Sequence, residues 1–191
     1  MILLPTASEV WLDLKYSYKG ESFQFNLPIS RGGKFLDGLR IDFSSEDIDG
    51  GRRVRLMMEA LGSVELESLE LTGSLPIGED LKTVFVNGYQ SRTGSRERSP
   101  GERISGLNWP GRFLGMHLPG DDRFYPYSEK KGRFHGYTYA YIRYAEKILF
   151  TGSLNEDAGY TVIGVDVRRK MFSIRKDAQG LVLDKARTML D

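Results

Sequence analysis

The sequence predicts an all-β fold, a two-sheet antiparallel β-sandwich with a short helical segment at its carboxyl end. Apolar and polar residues alternate with a period of two in segment after segment, a pattern that places one set of side chains on a buried sheet face. Turn residues separate these segments at short intervals. Roughly ten strands, joined mainly by short turns, favour two packed sheets over a single open sheet.

The first half of the chain contains the clearest alternation. Residues 10–16 and 23–29 flank the turn signal Lys19-Gly20, so we expect them to form an antiparallel pair. A third alternating run ends at an acidic turn over residues 44–51. The strands expected in this half lie at residues 10–16, 23–29, 39–43, 54–58, 64–66, 69–71 and 83–86.

An irregular stretch over residues 91–131 divides the chain. It is rich in glycine, proline and charge, and it is longer than the loops that compact domains usually contain without a functional reason. Function is therefore expected there. Beyond it, residues 137–143 form an expected strand with three tyrosines on one face. Further strands are expected at residues 148–154, 160–168 and 171–175.

The carboxyl end predicts a helix. Asp184 is a suitable cap for a helix over residues 185–190, and the sequence stops at Asp191 before three turns are complete. An isolated helix of this length is marginal in water, so we expect it to continue into a further domain. The predicted organisation is a sandwich domain over residues 1–183 and the start of a linker helix over residues 184–191.

Composition and charge limit the classes of function. The chain has 27 Lys and Arg against 26 Asp and Glu, and a net charge of +1 gives no overall field that would attract nucleic acid. It has no cysteine, which fits a reducing compartment. Its apolar runs are all shorter than the roughly 20 residues needed to span a bilayer. We expect a cytoplasmic protein that binds neither nucleic acid nor membrane and needs no metal or cofactor.

Candidate catalytic groups are few. The two histidines, His117 and His135, are not near a Gly-x-Ser-x-Gly turn, which disfavours a nucleophilic triad. Residues 47–51 partly resemble a calcium loop, but Met58 occupies the place of the bidentate glutamate. The adjacent acids Asp121-Asp122 are typical of solvated turns. No catalytic residue is assigned.

Charged and aromatic side chains alternate in the irregular stretch. Its arginines are interleaved with Glu97 and Glu102, which favours a solvated loop or a salt-bridged interface over a nucleic-acid surface. Aromatic residues with charged neighbours also describe a sugar-binding surface, because a pyranose presents an apolar CH face together with hydroxyls. The candidates for sugar contact or for an interface are Trp109, Tyr125 and Tyr127. The alternative is that these aromatic side chains cover the core of the sandwich.

One segment resembles a known motif. The run is Asn87, Gly88, Tyr89, Gln90, Ser91, Arg92 and Thr93. It resembles the Asn-Gly-Tyr-Gln-Ser-Trp-Thr motif in the N-terminal domain of glycoside hydrolase family 36 α-galactosidases. Residues 122–127, 134–143 and 151–161 are also similar to that family in order and spacing. The resemblance covers residues 80–180, whereas the first 80 residues match only in being rich in strands.

The resemblance implies a β-supersandwich that precedes a (β/α)8 barrel. Two barrel aspartates would carry out retaining hydrolysis of α-galactosides, and this chain alone would be inactive because it contains no alternating strand-helix pattern. The resemblance implies that residues 87–93 reach toward the mouth of the sugar site. The implied partners are the downstream barrel and an α-galactoside, with homo-oligomer contacts left open.

Arg92 departs from the family motif, which has tryptophan at that position. A guanidinium cannot reproduce the apolar wall of an indole, although it can stack or donate hydrogen bonds. A different sugar, an anionic substituent or a loop without a substrate role would each explain the change. Two other functions remain as alternatives, a stand-alone carbohydrate-binding sandwich and a mutarotase-like sugar epimerase. The epimerase would use His117, His135 and Glu129 as acid and base.

Overall fold

A computed structural model of the chain describes residues 10–29, 32–48, 51–75, 80–88, 95–103, 130–155, 159–176, 181–184 and 187–190. Within these ranges the chain forms β-strands and no helix. The strands are β1 (Val10–Tyr18), β2 (Glu21–Pro28), β3 (Gly32–Leu36), β4 (Leu39–Ile48), β5 (Gly51–Ala60), β6 (Ser63–Ser74), β7 (Leu81–Val86), β8 (Arg96–Arg98), β9 (Arg133–Tyr137), β10 (Tyr139–Tyr144), β11 (Ile148–Gly152), β12 (Thr161–Asp166), β13 (Met171–Lys176), β14 (Leu181–Asp184) and β15 (Arg187–Leu190).

The described strands form three antiparallel sheets. The long sheet has the order β2-β1-β6-β13-β12-β9, with β14 also paired to β6. The first small sheet has the order β15-β5-β4-β3, and the second small sheet has the order β11-β10-β7-β8. The all-β, sandwich-like expectation is confirmed, but two small sheets take the place of the single partner sheet that was expected.

Alternation along β1 explains how the long sheet packs against both small sheets. Val10, Leu12, Leu14 and Tyr16 are all buried, because every second side chain points to the same face. The last three belong to a core shared with β4 and β5 of the first small sheet. Val10 belongs to a second core, shared with β7 and β10 of the second small sheet. Both small sheets therefore pack against one face of the long sheet.

Close packing of the second core requires a glycine within β6. A Cβ atom on Gly73 would lie 2.6 Å from Cε1 of Phe172, well inside contact distance. Phe172 is buried and lies directly opposite Gly73 in the β13–β6 ladder. Separate strands were expected at residues 64–66 and 69–71, whereas both belong to one strand of 12 residues that also contains Gly73.

A single residue transfers the chain from the long sheet to the second small sheet. Thr138 separates β9 from β10 and has a φ of 65°, which is the left-handed region. Its N–H donates to the Thr161 carbonyl oxygen at 2.8 Å, and its own carbonyl oxygen accepts from the Ser153 N–H at 2.8 Å. The predicted continuous strand over residues 137–143 is therefore wrong, because the chain turns at Thr138.

The predicted helix over residues 184–191 is also wrong. Asp184 ends β14, which pairs with β6, and Arg187–Leu190 pairs with β5 from Leu56 to Glu59. A helix of six residues is marginal in water, whereas an unpaired strand edge offers a row of hydrogen-bonding groups.

The acidic turn expected over residues 44–51 is shorter than expected, because β4 runs to Ile48 and β5 begins at Gly51. Among the described residues no helix is long and apolar enough to cross a membrane.

Tyr16 makes the first core sensitive to alkaline pH. Its side chain is fully buried, stacks on Phe23 at 5.4 Å between ring centroids, and donates its hydroxyl to the Asp37 carbonyl oxygen at 2.9 Å. Burial, assisted by the nearby Asp37 charge, raises the pKa of Tyr16 to about 12. The unfolded chain ionises at about pH 10, so this stabilisation is complete below about pH 10 and is lost as pH rises toward 12.

Replacing Tyr16 with phenylalanine should remove this alkaline sensitivity. At neutral pH we expect Tyr16→Phe to lower the free energy of unfolding by about 1 kcal/mol, because the Asp37 carbonyl loses its hydrogen bond. Above about pH 10 the difference from the wild type should shrink. Denaturant titrations at several pH values measure both effects, with Tyr18→Phe in the same strand as the control. Parallel alkaline profiles for wild type and Tyr16→Phe would contradict the assignment.

Thr138→Gly tests the turn between β9 and β10. The left-handed region costs a side-chain-bearing residue about 1–2 kcal/mol, whereas glycine adopts it freely at an entropic cost of about 0.5–1 kcal/mol. We expect Thr138→Gly to increase the free energy of unfolding by about 0.5 kcal/mol. Thr72→Gly, placed inside β6, should decrease it. Destabilisation of similar size in both variants would show that Thr138 is not strained.

Candidate functional site

The motif at residues 87–93 begins at the base of a hairpin, and Asn87 and Gly88 are its described residues. Val86 of β7 pairs with Arg96 of β8, so residues 87–95 connect these two strands. This pairing brings Asn87 and Gly88 close to Ser95, which is the described residue at the other end of the connection.

Asn87 joins this hairpin to the long sheet. Its backbone carbonyl oxygen accepts from the Tyr137 N–H at 2.9 Å, and its side-chain Nδ2 donates to the Tyr137 carbonyl oxygen at 3.1 Å. Its Oδ1 accepts from the Ser95 hydroxyl at 3.0 Å, and that hydroxyl oxygen accepts from the Gly88 N–H at 2.9 Å. One asparagine thus binds the peptide groups of β9 and closes the loop on itself. We call these four contacts the Asn87 clamp.

Gly136 permits the close approach on which the clamp depends. A Cβ atom at this position would lie 2.8 Å from the Asn87 nitrogen and 3.1 Å from Cβ of Val86. No larger residue fits there without displacing β7 from β9. This is the physical reason for glycine within the Phe134–Tyr137 run.

Residues of the segment 151–161 contact the turn at Thr138, next to the Asn87 clamp. Thr138 bonds to Thr161 on one side and to Ser153 on the other. Lys176 at the end of β13 is only 8% exposed. Its ammonium group donates to Oγ1 of Thr161 at 2.8 Å, to Oγ of Ser153 at 3.3 Å and to the Asn155 carbonyl oxygen. A buried ammonium surrounded by oxygen acceptors holds both ends of this segment beside the turn at Thr138.

A row of aromatic side chains covers the outer face of the second small sheet. Phe85, Tyr141 and Phe150 lie directly opposite one another on β7, β10 and β11. The rings of Phe85 and Tyr141 are 4.7 Å apart between centroids and 5° from parallel. Tyr139 stacks on Phe85 at 5.7 Å and on Phe150 at 5.9 Å. The alternate residues of β7 and β10 are buried in the second core, so these half-buried rings face outward.

Glu97 of β8 lies at one end of this aromatic row, directly opposite Phe85. Oε1 accepts from the Tyr141 hydroxyl at 2.7 Å and from Nη2 of Arg143 at 2.6 Å, and Oε2 accepts from the Thr83 hydroxyl at 3.0 Å. The Tyr141 hydrogen bond, followed by those from Arg143, lowers the pKa of Glu97 below its ordinary value. The same contact raises the pKa of Tyr141. The carboxylate is therefore fixed by its neighbours in the ionised form.

Arginines in the β8 segment are engaged by another glutamate. Glu102 accepts from Nη1 of Arg98 at 3.0 Å and from Nη2 of Arg96. Burial, together with the nearby Arg96 charge, lowers the pKa of Arg98. Both described arginines of β8 are therefore paired with Glu102 within the same segment.

The other predicted site residues divide into two groups. His135 lies on β9 opposite Gly164 and is only 8% exposed. The remainder lie outside the described residues: Tyr89, Gln90, Ser91, Arg92, Thr93, Trp109, His117, Tyr125, Tyr127 and Glu129. In the segment that partly resembles a calcium loop, Asp47 lies in β4 opposite Arg52. Oε2 of the preceding residue, Glu46, lies 3.8 Å from Nη1 of Arg53. Among the described residues no group of three or more His, Cys, Asp or Glu side chains is placed to hold a metal ion.

Several important residues were not predicted. Ser95, Tyr137 and Lys176 hold the site together, but nothing in their local sequence marks them, since each acts on a distant segment. The aromatic row had a detectable signal. Phe85 alternates with buried Val84 and Val86, and Tyr139 and Tyr141 alternate with buried Ala140 and Ile142.

Comparison with known proteins adds no assignment: no family model matches the chain, and no curated protein matches it.

Glu97→Gln tests the network at the end of the aromatic row. The pKa of Glu97 is lower in the folded chain, so its stabilisation is present above about pH 4.3 and is lost as pH falls through the folded-state pKa. We expect Glu97→Gln to reduce stability at neutral pH and to flatten the acid decline. The free energy of unfolding between about pH 3 and 6 measures this. The exposed Glu46→Gln is the control and should keep the wild-type decline, and an equal decline in Glu97→Gln would refute the role of this network.

Proposed function

We propose that this chain is the non-catalytic β-supersandwich unit of an α-galactosidase-like glycoside hydrolase. Its loop over residues 87–93 lies at the mouth of a sugar site on a downstream (β/α)8 barrel of the same polypeptide. The barrel carries the catalytic carboxylates, and this unit supplies part of the wall around the terminal galactoside. The proposal begins from the resemblance of residues 80–180 to family 36 α-galactosidases.

One observation in the structure carries the proposal. Three family-like segments, residues 87–93, 134–143 and 151–161, contribute side chains or peptide groups that meet around Thr138. Asn87 binds both peptide groups of Tyr137, and Thr138 binds Thr161 and Ser153. Segments that resemble one family because of a shared role are expected to form one physical unit, and these do. The same contacts give the segments a common task, which is to hold the base of the 87–95 loop.

The Asn87 clamp suits a loop that contacts substrate. A loop with free ends loses conformational entropy when it orders around a ligand, and this loss weakens binding. Hydrogen bonds at both ends of the loop limit that loss before the sugar arrives. The clamp also fixes the loop to the long sheet through β9, which is a rigid element. Positioning of this kind lowers a reaction barrier without chemical participation.

Arg92 defines the substrate contact in this proposal. In place of an indole wall, its guanidinium offers several N–H donors in a planar fork. Such a group recognises sugar hydroxyls, or an anionic substituent, by hydrogen bonds. The proposed substrate is therefore an α-galactoside whose recognition at the mouth of the site is more polar than in relatives that have tryptophan.

The alternatives receive less support from the described residues. A stand-alone sugar-binding sandwich needs ring faces that are free to stack on a pyranose. In the aromatic row those faces contact one another, since Phe85 and Tyr141 are 5° from parallel at 4.7 Å. A mutarotase needs an accessible acid and base, and His135 is only 8% exposed.

Hydrolysis of a chromogenic α-galactoside tests the proposal. We expect no turnover by the 191-residue chain and turnover by the longest product of the same gene. In that longer product, Asn87→Ala should lower kcat/KM on the order of tenfold, because misplacing a substrate-positioning loop costs transition-state binding. The control Asn26→Ala alters an exposed asparagine that bonds Asp13 on the other half of the long sheet. Turnover by the short chain would refute the accessory role, and full activity in Asn87→Ala would refute the clamp.

A further inference from the structure

Asn87-Gly88 is a chemically reactive pair, and it is the only Asn-Gly in the sequence. In such a pair the glycine nitrogen lies close in sequence to the side-chain amide carbon, and no β-carbon hinders its approach. The other asparagines precede larger residues: Leu27 after Asn26, Trp109 after Asn108 and Glu156 after Asn155. Asn87 is therefore the position most susceptible to attack by its own backbone.

The reaction is an intramolecular acyl transfer that needs only water. The Gly88 nitrogen forms a bond to Cγ of Asn87 and gives its proton to a solvent base. The bond from Cγ to Nδ2 breaks, and Nδ2 takes up a proton and leaves as ammonia. Water then adds to one of the two carbonyl carbons of the five-membered imide and breaks its bond to nitrogen. The products are aspartate, or isoaspartate when the main chain passes through the former side chain.

The folded chain engages both reacting groups with one hydroxyl. The Gly88 N–H donates to Oγ of Ser95 at 2.9 Å, and the Ser95 hydroxyl donates to Oδ1 of Asn87 at 3.0 Å. The leaving nitrogen, Nδ2, donates to the Tyr137 carbonyl oxygen at 3.1 Å. Attack on Cγ requires the Gly88 nitrogen to give up its proton, and in the folded chain that proton is held in the hydrogen bond to Ser95.

We propose that Asn87 is a deamidation site whose rate is controlled by the Ser95 hydroxyl. With the Asn87 clamp closed, Ser95 holds the proton of the nucleophilic nitrogen and Tyr137 holds the leaving nitrogen. Loss of the Ser95 contacts frees the nucleophilic nitrogen and allows the imide to form. This inference concerns the chemistry of the chain itself and does not depend on the proposed sugar-hydrolase role.

The product would release the clamp permanently. Deamidation replaces the Nδ2 donor with a carboxylate oxygen, which would face the Tyr137 carbonyl oxygen. Two acceptors cannot share a hydrogen bond, and a new negative charge beside a carbonyl dipole is repelled. An isoaspartate would in addition lengthen the main chain where β7 meets β9. Each modified molecule should therefore hold the 87–95 loop more weakly than the original.

Peptide mapping by mass spectrometry, with enzymatic detection of isoaspartate, tests the control by Ser95. Wild type, Ser95→Ala and Ser99→Ala are incubated in mildly alkaline buffer, both folded and in denaturant. Ser99 is the matched control because it is an exposed serine that directly follows β8, which ends at Arg98.

In the folded state we expect Ser95→Ala to deamidate at Asn87 at least about fivefold faster than wild type, because both hydrogen bonds of the Ser95 hydroxyl are lost and each is worth about that factor. Ser99→Ala should match wild type, and all three chains should react faster, at one common rate, in denaturant. Equal folded-state rates for Ser95→Ala and wild type would overturn the proposal. So would a wild-type rate that is the same folded and unfolded.

Asn87→Asp supplies a second measurement of the product state. Hydrogen exchange at the Tyr137 amide, which donates to the Asn87 carbonyl oxygen at 2.9 Å, should be faster in this variant than in wild type. Exchange within β1, on the other half of the long sheet, should be unchanged. Wild-type protection of Tyr137 in Asn87→Asp would overturn the claim that deamidation opens the clamp.

Discussion

The turn at Thr138 is the constraint on which the second half of the sandwich depends. A strand of the long sheet ends at Tyr137, and a strand of the opposing sheet begins at Tyr139. One residue in the left-handed region makes this transfer, with its N–H and its carbonyl oxygen both hydrogen-bonded. The transfer fixes the distance between the two sheets. Gly136 and the Asn87 clamp are the local adaptations that let β7 approach β9 at that distance.

The two halves of the molecule are built differently, and the difference bears on function. Around the first core, hairpins such as β1 with β2 and β4 with β5 occur together with pairings of strands distant in sequence, β1 with β6 and β14 with β6. Side chains stabilise this core through apolar burial, with Tyr16 as a polar exception. The second half also combines hairpins, such as β10 with β11 and β12 with β13, with distant pairings, β7 with β10 and β6 with β13. What distinguishes it is the set of polar contacts from Asn87, Thr138 and Lys176 that accompanies these pairings.

Sequence patterns predicted the strands better than the sheets. Period-two alternation located most strands because burial of one face is a local property, as in β1 and β12. It failed at Thr138, where unbroken alternation conceals a turn, and at residues 187–190, where pairing with β5 overrides a short helical pattern. The site was predicted in part. Asn87-Gly88 stood out as the start of a family-like motif, but the Asn87 clamp depends on Ser95 and Tyr137, and no local pattern indicates which distant peptide an asparagine will bind.

The Asn87 clamp requires a side chain that both donates and accepts a hydrogen bond, and the residue that meets this requirement is also chemically reactive. Only a carboxamide can donate to the Tyr137 carbonyl oxygen and accept from the Ser95 hydroxyl with the same side chain. Aspartate lacks the donor, and serine is too short to reach both partners. Glycine at the next position allows the chain to leave the strand at once, but it also exposes the carboxamide to its own backbone. The Asn87-Gly88 pair that attaches the loop is therefore also the pair open to deamidation. How long it stays intact depends on the Asn87 clamp remaining closed.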